Sequence, residues 1–274
     1  MAGFRYLKDK LIGQVLNDHG YHKNQKYYVN FVSDEVCFVI FITRVPKCPY
    51  FQTILGVIPY CTDINAYVDN KEDIADLLEF DSLEIYRRAS ENPHGIDFTQ
   101  AYLDTRCFIS PTDDYDTENN IIRFCKDLGN VILPYFHKFS DLEIYYHEEQ
   151  QYHGWNDLSI EYLMLSLKLC YYNEALHCID NQLIELTDFI ESITDDVNRL
   201  KFGSLSKSDI IAIKNNANHR ESLEIELMQQ QKKYNMLLTL KDKVIKRDES
   251  WLNNFIQEIE RKNADYLRSI LNQR

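Results

Sequence analysis

Residues 20–45, GYHKNQKYYVNFVSDEVCFVIFITRV, decide the fold of this 274-residue chain. An amphipathic run ends at Gly20, and two segments rich in β-branched and aromatic residues follow, Tyr27–Val32 and Val36–Val45. Such segments favour strands, and the polar Ser33-Asp34-Glu35 between them favours a turn, so the stretch predicts a β-hairpin. Apolar residues at helical spacing up to Leu16, followed by a glycine four residues later, predict a helix that ends near Gly20.

Working outward, the next segments continue a mixed α and β pattern. Gln52–Tyr60 and Ala101–Ile109 are further strand candidates, Glu118–Phe139 has the spacing of a helix, and Leu142–Tyr146 closes the region. The order is helix, antiparallel strand meander, helix, which predicts an α+β domain over residues 1–150.

The second part of the chain has a different composition. All six prolines lie at or before Pro134, and after Gly154 the only glycine is Gly203. Because proline and glycine interrupt regular structure, their scarcity predicts an all-α domain over residues 155–274. We expect a helical hairpin or bundle with a long final helix.

From Glu221 to the end there is neither glycine nor proline, and apolar residues recur every seven positions. This stripe predicts one long helix packed in coiled-coil fashion. The predicted partner is the helix through Leu183 and Leu200 of the same chain, although self-association through the C-terminal helices stays open. The heptad positions are Leu238, Ile245, Leu252, Ile259 and Tyr266.

The opening stretch also resembles a known family. The matching features are Gly20, Tyr21, Lys23 and the Tyr27-Tyr28 pair, followed by TILGVIPY (53–60) and VILPYFHKFSDLE (131–143). This pattern resembles the uncharacterised family called domain of unknown function 4304. The resemblance implies a small α+β domain over about residues 1–146, and the family has no established catalytic residues to carry over.

A second resemblance lies in IEYLMLSLKLCYYNEALHCIDNQL (160–183). Its apolar spacing is similar to one tetratricopeptide-type helix pair. A solenoid needs several such units, and no second copy stands at the expected period. The segment therefore predicts two antiparallel helices joined near Tyr172.

The formal charge of −13 is concentrated in one region. Residues 63–118, here called the acidic belt, contain 15 acidic residues against four basic ones. Such a surface repels phosphate backbones, so direct nucleic-acid binding is disfavoured, and it attracts a basic protein partner. Aromatic anchors inside a charged rim are typical of protein interfaces. The predicted partner-binding residues are Asp73, Asp76, Glu79, Tyr67, Phe80 and Tyr86.

The number and spacing of the cysteines and the length of the apolar runs indicate the cellular compartment. The seven cysteines are odd in number and include no C-x-x-C pair, so neither a disulfide framework nor a zinc site is predicted. The N-terminus lacks the apolar core of a signal peptide, and no apolar run reaches the ~18 residues of a membrane span. The sequence predicts a cytoplasmic protein without membrane association.

Several short residue patterns are candidates for catalytic or metal-binding sites. His147 and His153 are six residues apart, whereas a zinc-binding helix needs histidines at i and i+4. The acids of 113–119 directly precede a helix, where capping accounts for them. Cys61 with His94 matches no catalytic spacing. The Arg87-Arg88 pair could bind a phosphate, but the nearby acids Glu84 and Glu91 account for it. No catalytic, cofactor-binding or metal-ligating residue is predicted.

Two functions from different classes remain. The favoured one is a non-enzymatic protein-binding or adaptor protein, one form of which is a bacterial immunity or defence component that engages a basic partner. The alternative is an enzyme whose site lies between the two domains and has no readable spacing, because a missing motif does not exclude an active site.

Overall fold

The computed structural model describes residues 8–24, 27–31, 33–44, 51–62, 80–81, 114–152, 154, 156, 158–202 and 210–271. The described chain divides into two units. The head unit takes in the residues up to His153 together with Gln257–Arg274, and the helical unit is Gly154–Ile256.

The head unit contains a five-stranded antiparallel sheet in which every strand pairs with the next one along the chain. This is the predicted meander, and the predicted hairpin is the pair formed by Tyr27–Asn30 and Val36–Arg44. Two tyrosines and a valine in the first strand, and Val, Ile and Phe in the second, favour strand structure. Ala101–Ile109, the other predicted strand, lies outside the described residues. The strands are β1 His22–Asn24, β2 Tyr27–Asn30, β3 Val36–Arg44, β4 Phe51–Pro59 and β5 Phe80–Asp81.

Helical segments flank the sheet in the sequence of the head unit. The predicted Glu118–Phe139 helix is a run of α, π and 3-10 turns that begins earlier, at Asp114. The helices are α1 Gly13–Asp18, preceded by a π-helical turn Lys8–Ile12; α2 Asp114–Asp127, followed by a π-helical turn Leu128–Ile132; α3 Leu133–Phe136, followed by a 3-10 turn His137–Ser140; and α4 Leu142–Tyr152.

The predicted end of the first helix at Gly20 is confirmed. Gly20 has φ of 86°, the left-handed conformation that glycine adopts without a Cβ clash. The Tyr21 N–H donates to the Leu16 carbonyl at 2.9 Å, and the Gly20 N–H donates to the Asn17 carbonyl at 3.0 Å. These two bonds form a Schellman motif, which satisfies the last carbonyls of the helix.

The second part of the chain is helical, so the predicted fold class, an α+β part followed by an all-α part with a long final helix, is confirmed. Helix α6 packs against both α5 and α7, which supplies the predicted antiparallel pair and the predicted helical partner. The helices are α5 Ile160–Lys168, α6 Tyr172–Phe202, α7 Ile210–Ile245 and α8 Glu249–Leu271.

The prediction of one uninterrupted helix from Glu221 to the C-terminus is wrong. The chain leaves the helix after Ile245 through Arg247, whose φ is 49°. Asp248 then starts α8, because its Oδ1 accepts a hydrogen bond from the Trp251 N–H at 3.2 Å. Two heptad positions are not buried, since Leu238 and Ile245 are 43% and 61% exposed, whereas the heptad residue Leu252 is buried. Leu237 and Val244, which directly precede the two exposed positions, are buried.

The end of the last helix belongs to the head unit rather than to the predicted 155–274 domain. Ala264 and Leu267 of α8 are buried in one cluster with sheet residues. Asn263, 1% exposed, donates its amide N–H groups to the carbonyls of Tyr60, at 2.9 Å, and Thr62. The sheet residues of that cluster are Tyr27, Val29, Cys37, Val39, Ile58 and Tyr60.

Among the described residues, none of the helices combines the length and the apolar composition that a membrane span requires.

Candidate functional site

The predicted partner-binding residues fall almost entirely outside the described part of the chain. Phe80 is the first residue of β5 and pairs with Leu55 of β4. The other five, Asp73, Asp76, Glu79, Tyr67 and Tyr86, lie outside the described residues. The belt as a binding surface therefore stays a prediction.

Only some of the residues considered as catalytic or metal-binding candidates lie in the described part of the chain. His147 is exposed on α4, Cys61 is buried, and His153, His94 and the arginine pair lie outside the described residues. Asp114, Asp116 and Glu118 lie within the first two turns of α2 and not before the helix, where the sequence predicted them, because the helix begins earlier, at Asp114. The part of the chain that the structure describes contains no group of three or more side chains able to hold a metal ion.

A cavity of about 410 Å³ lies in the head unit. Imidazole, hydroxyl and amide groups line it, and Phe38 forms an apolar part of its wall. Ser140 Oγ donates to the His137 carbonyl at 2.8 Å, and Ser33 Oγ accepts from the Glu35 N–H at 3.0 Å. Within the described residues, neither hydroxyl bonds to an imidazole, so no nucleophile–base pair is assembled. The lining residues are His19, Asn30, Ser33, Phe38, His137 and Ser140.

His137 is the most perturbed group in this cavity. Its Nε2 and the Tyr21 hydroxyl share one hydrogen bond of 3.0 Å, in which the tautomer of His137 decides which group donates. Burial lowers the pKa of His137, and the ring of His19, 6.4 Å away between centroids, lowers it further. Burial raises the pKa of Tyr21 well above its usual value. Both shifts favour the neutral forms of His137 and Tyr21.

The helical unit carries a different surface along α6. Between Tyr172 and Asn198 the sequence contains seven acidic residues and neither lysine nor arginine. Four of these acids are exposed at spacings of three, three and four, which places them on one side of the helix. We call this set the α6 acidic face: Glu185, Asp188, Glu191 and Asp195.

A second cavity, of about 530 Å³, borders this face. Glu185 and Asp188 of the α6 acidic face line it on one side, and Lys233 of α7 lines it as well. Its apolar lining is Leu158, Leu186 and Phe189, and Phe189 is 43% exposed. The cavity thus combines two carboxylates with an accessible aromatic ring, and its volume lies in the usual range of ligand pockets.

One buried polar side chain of this cavity has an unsatisfied atom. Gln182 is 3% exposed, and its Nε2 donates to the Cys178 sulfur at 3.3 Å and to the Ser159 carbonyl at 3.5 Å. Its Oε1 has no hydrogen-bond partner. Buried acceptors without a partner are uncommon in folded proteins and point to a missing ligand or water.

Comparison with protein families, with curated proteins and with solved structures found no match for this chain. The two family resemblances in the sequence therefore stay predictions.

The α6 acidic face was not predicted from the sequence, because the charge excess of the acidic belt is larger. The signal was present, since 27 consecutive residues, Tyr172–Asn198, lack any lysine or arginine. Gln182 carries no such signal, because only its burial distinguishes it from other glutamines.

Proposed function

We propose that this protein binds a basic protein partner through the α6 acidic face. The observation that carries the proposal is the exposure of Glu185, Asp188, Glu191 and Asp195 on one side of α6 without a paired cation among the described residues. Charge of one sign along a surface speeds encounter with a partner of the opposite sign.

The arrangement of these acids has a cost that a basic partner would relieve. Like charges three or four residues apart on a helix destabilise it by about 0.2–0.5 kcal/mol per pair. Asp180, by comparison, is an α6 acid with a partner, because Lys241 Nζ lies 2.6 Å from its Oδ1. A partner that brings lysine or arginine to the α6 acidic face would provide ion pairs for its four acids.

Apolar side chains on the same helix supply the anchors that an interface needs. Ile184 is 62% exposed and Phe189 is 43% exposed, and both are neighbours of the α6 acidic face. Interfaces commonly combine a few buried aromatic or aliphatic anchors with a charged rim. Burial of these two side chains would add affinity to the attraction that the acids provide.

The predicted acidic belt fits this proposal as a source of long-range attraction. Reversal of Asp73, Asp76 and Glu79 to lysine should slow association with the partner, since attraction between unlike charges accelerates encounter and is screened by salt. A cytoplasmic immunity or defence component that occupies a basic effector is the concrete form of this function. A reducing compartment suits the odd number of cysteines.

The test is a comparison of proteins captured from the native cell by three forms of the chain. The first is the native chain, and the second is the α6-neutral variant, in which Glu185 and Glu191 become Gln and Asp188 and Asp195 become Asn. The third is a control of equal charge change at exposed acids that do not belong to α6. Its substitutions are Asp18→Asn, Asp34→Asn, Glu221→Gln and Glu249→Gln.

We expect at least one basic protein to be captured by the native chain and the control and to be lost with the α6-neutral variant. Because both variants have the same net charge, the difference isolates the α6 acidic face from charge in general. Equal capture by all three forms, or capture that depends only on net charge, would contradict the proposal.

A further inference from the structure

We infer that the cavity beside the α6 acidic face receives an arginine side chain of the basic partner. The inference rests on the proposed function and adds the group that is recognised and the residues that recognise it. These residues are Gln182, Glu185, Asp188 and Phe189, all of which line the cavity.

The unsatisfied oxygen of Gln182 indicates a ligand that donates hydrogen bonds. The amide nitrogen of Gln182 is turned to Cys178 and Ser159, and this leaves Oε1 as the free acceptor of a side chain that is 3% exposed. Bringing a donor to this oxygen removes the penalty of burying it unpaired. A guanidinium group carries five N–H donors and no acceptor, so it matches an oxygen-rich wall.

The carboxylates of Glu185 and Asp188 provide the charge for such a ligand. They lie three residues apart on α6, so they are neighbours on the helix surface, and neither forms an ion pair with a described residue. Arginine pairs with carboxylates through two parallel hydrogen bonds, whereas lysine acts as a point charge. The presence of two carboxylates and an amide oxygen therefore favours arginine over lysine.

The apolar lining suits the rest of an arginine side chain. Phe189 presents an exposed ring on which a planar guanidinium can stack. Leu158 and Leu186 line the same cavity and can cover the aliphatic stem. An uncharged polar ligand would leave the two carboxylates without counterions, and an anion would be repelled by them.

Lys233 distinguishes arginine binding in this cavity from attraction to a generic acidic surface, because its removal should change the affinity in a defined direction. Lys233 lines the same cavity, and its ammonium group has no ion-pair partner among the described residues. It therefore repels an arriving guanidinium. Replacement of Lys233 by methionine, which keeps the length of the side chain, should strengthen arginine binding rather than weaken it.

The experiment titrates the full chain with three peptides, acetyl-Gly-Gly-X-Gly-Gly-amide, in which X is arginine, lysine or citrulline. Citrulline has nearly the shape of arginine without its charge. Binding is followed by NMR through the side-chain amide signals of glutamine, with the Gln182 signal assigned by its loss in the Gln182→Met variant. We expect the arginine peptide to shift this signal, with the lysine peptide binding about threefold more weakly and citrulline weaker still.

Substitutions then assign the contacts. Glu185→Gln and Asp188→Asn should each weaken arginine binding about two- to fivefold, as expected for a partly exposed ion pair, and Lys233→Met should tighten it by a similar factor. Glu221→Gln is the control, because Glu221 is exposed on α7 and does not line the cavity. Should Gln182→Met disturb the fold, the exposed Glu185 and Asp188 variants still test the site.

The outcomes distinguish a failure of the cavity assignment from a failure of the proposed function. Equal shifts with arginine and citrulline, or weaker binding by Lys233→Met, would overturn the cavity assignment. If capture of a basic protein depends on the α6 acidic face but the arginine peptide leaves Gln182 unshifted, the cavity assignment fails alone. If the peptide binds at Gln182 and no basic protein depends on the face, the proposed function fails and the cavity assignment stands.

Discussion

Among the described residues, three with positive φ end helices in Schellman motifs, and Gly20 is the one glycine of the three. Gly20, Cys170 and Arg247 have φ of 86°, 61° and 49°. All three follow the same Schellman pattern; at Cys170, the Tyr171 N–H donates to the Ser166 carbonyl at 2.7 Å. A side chain with Cβ pays about 1–2 kcal/mol for this conformation, so the two non-glycine positions store strain.

Substitutions at two of these positions should have opposite effects on stability. We expect Cys170→Gly to raise the free energy of unfolding by about 1 kcal/mol and Gly20→Ala to lower it by about 1–2 kcal/mol. Urea unfolding measures both. Cys170→Ala is the control, because it removes the thiol contact with Tyr172 and keeps the Cβ. A Cys170→Gly variant no more stable than Cys170→Ala would contradict the strain argument.

The lowered pKa of His137 predicts how the stability of the head unit depends on pH. Because the folded-state pKa lies below the ordinary value of about 6.5, the unfolded chain takes up the proton first as the pH falls. The stabilising effect of a neutral His137 is therefore complete above the ordinary pKa and is lost progressively below it. The groups that face His137 are Tyr21, His19 and Phe38.

The measurement compares native chain and His137→Gln by urea unfolding between pH 8 and pH 5. Glutamine does not titrate, so the stability of the native chain should fall relative to that of the variant as the pH drops. A stability difference that stays constant across this range would show that burial does not depress the pKa of His137.

At the scale of elements, the sheet was predictable and the break between α7 and α8 was not. Dense β-branched and aromatic residues leave few alternatives to strand structure for β3 and β4. The break follows neither glycine nor proline, since Arg247 adopts the left-handed conformation and Asp248 caps the next helix. An acid pair, Asp248-Glu249, at the helix start was the one available signal.

The docking of the last helix on the sheet could not be predicted from the heptad stripe. Besides Leu267, the helix contacts the sheet through a small residue, Ala264, and an amide, Asn263, and these two do not contribute to a count of large apolar residues. A pattern of hydrophobic residues shows which face of a helix is buried but not which surface covers it. For the same reason the sequence assigned the whole of α8 to a separate domain.

Asn263 should hold the last helix on the sheet. Asn263→Ala leaves the buried carbonyls of Tyr60 and Thr62 without their donor, so we expect a loss of about 2 kcal/mol in the free energy of unfolding. Gln257→Ala, at an exposed position of the same helix, is the matched control and should change stability by less than about 0.5 kcal/mol. Equal effects in urea unfolding would contradict the role of Asn263.

At the scale of the whole molecule, the head unit is built from two distant parts of the chain. A protease site introduced after Gly154 should therefore not free the head unit when it is cut. The C-terminal piece carries Ala264 and Leu267, which are buried with the sheet, so the two pieces should stay together in buffer. Size-exclusion chromatography with and without urea measures this, and pieces that separate in buffer would contradict the described packing.

The sequence shows an excess of acidic residues, but it does not show where these acids meet on the surface of the fold. Net charge and the acidic belt favoured a basic partner, but which acids share one exposed helix face depends on the burial of α6 against α5 and α7. The cavity beside that face depends further on Lys233, which lies 51 residues from Gln182 along the chain.

The most direct test of the account is the kinetics of binding between the captured basic protein and the α6-neutral variant. Association and dissociation rate constants would be measured at low and high salt for the native chain, the variant and the charge-matched control. We expect the variant to dissociate at least about tenfold faster than the control and to show a weaker salt dependence of association, because contact charges govern dissociation and long-range charge governs encounter. Rate constants equal to those of the control at both salt concentrations would contradict the claim that the α6 acidic face is the binding surface.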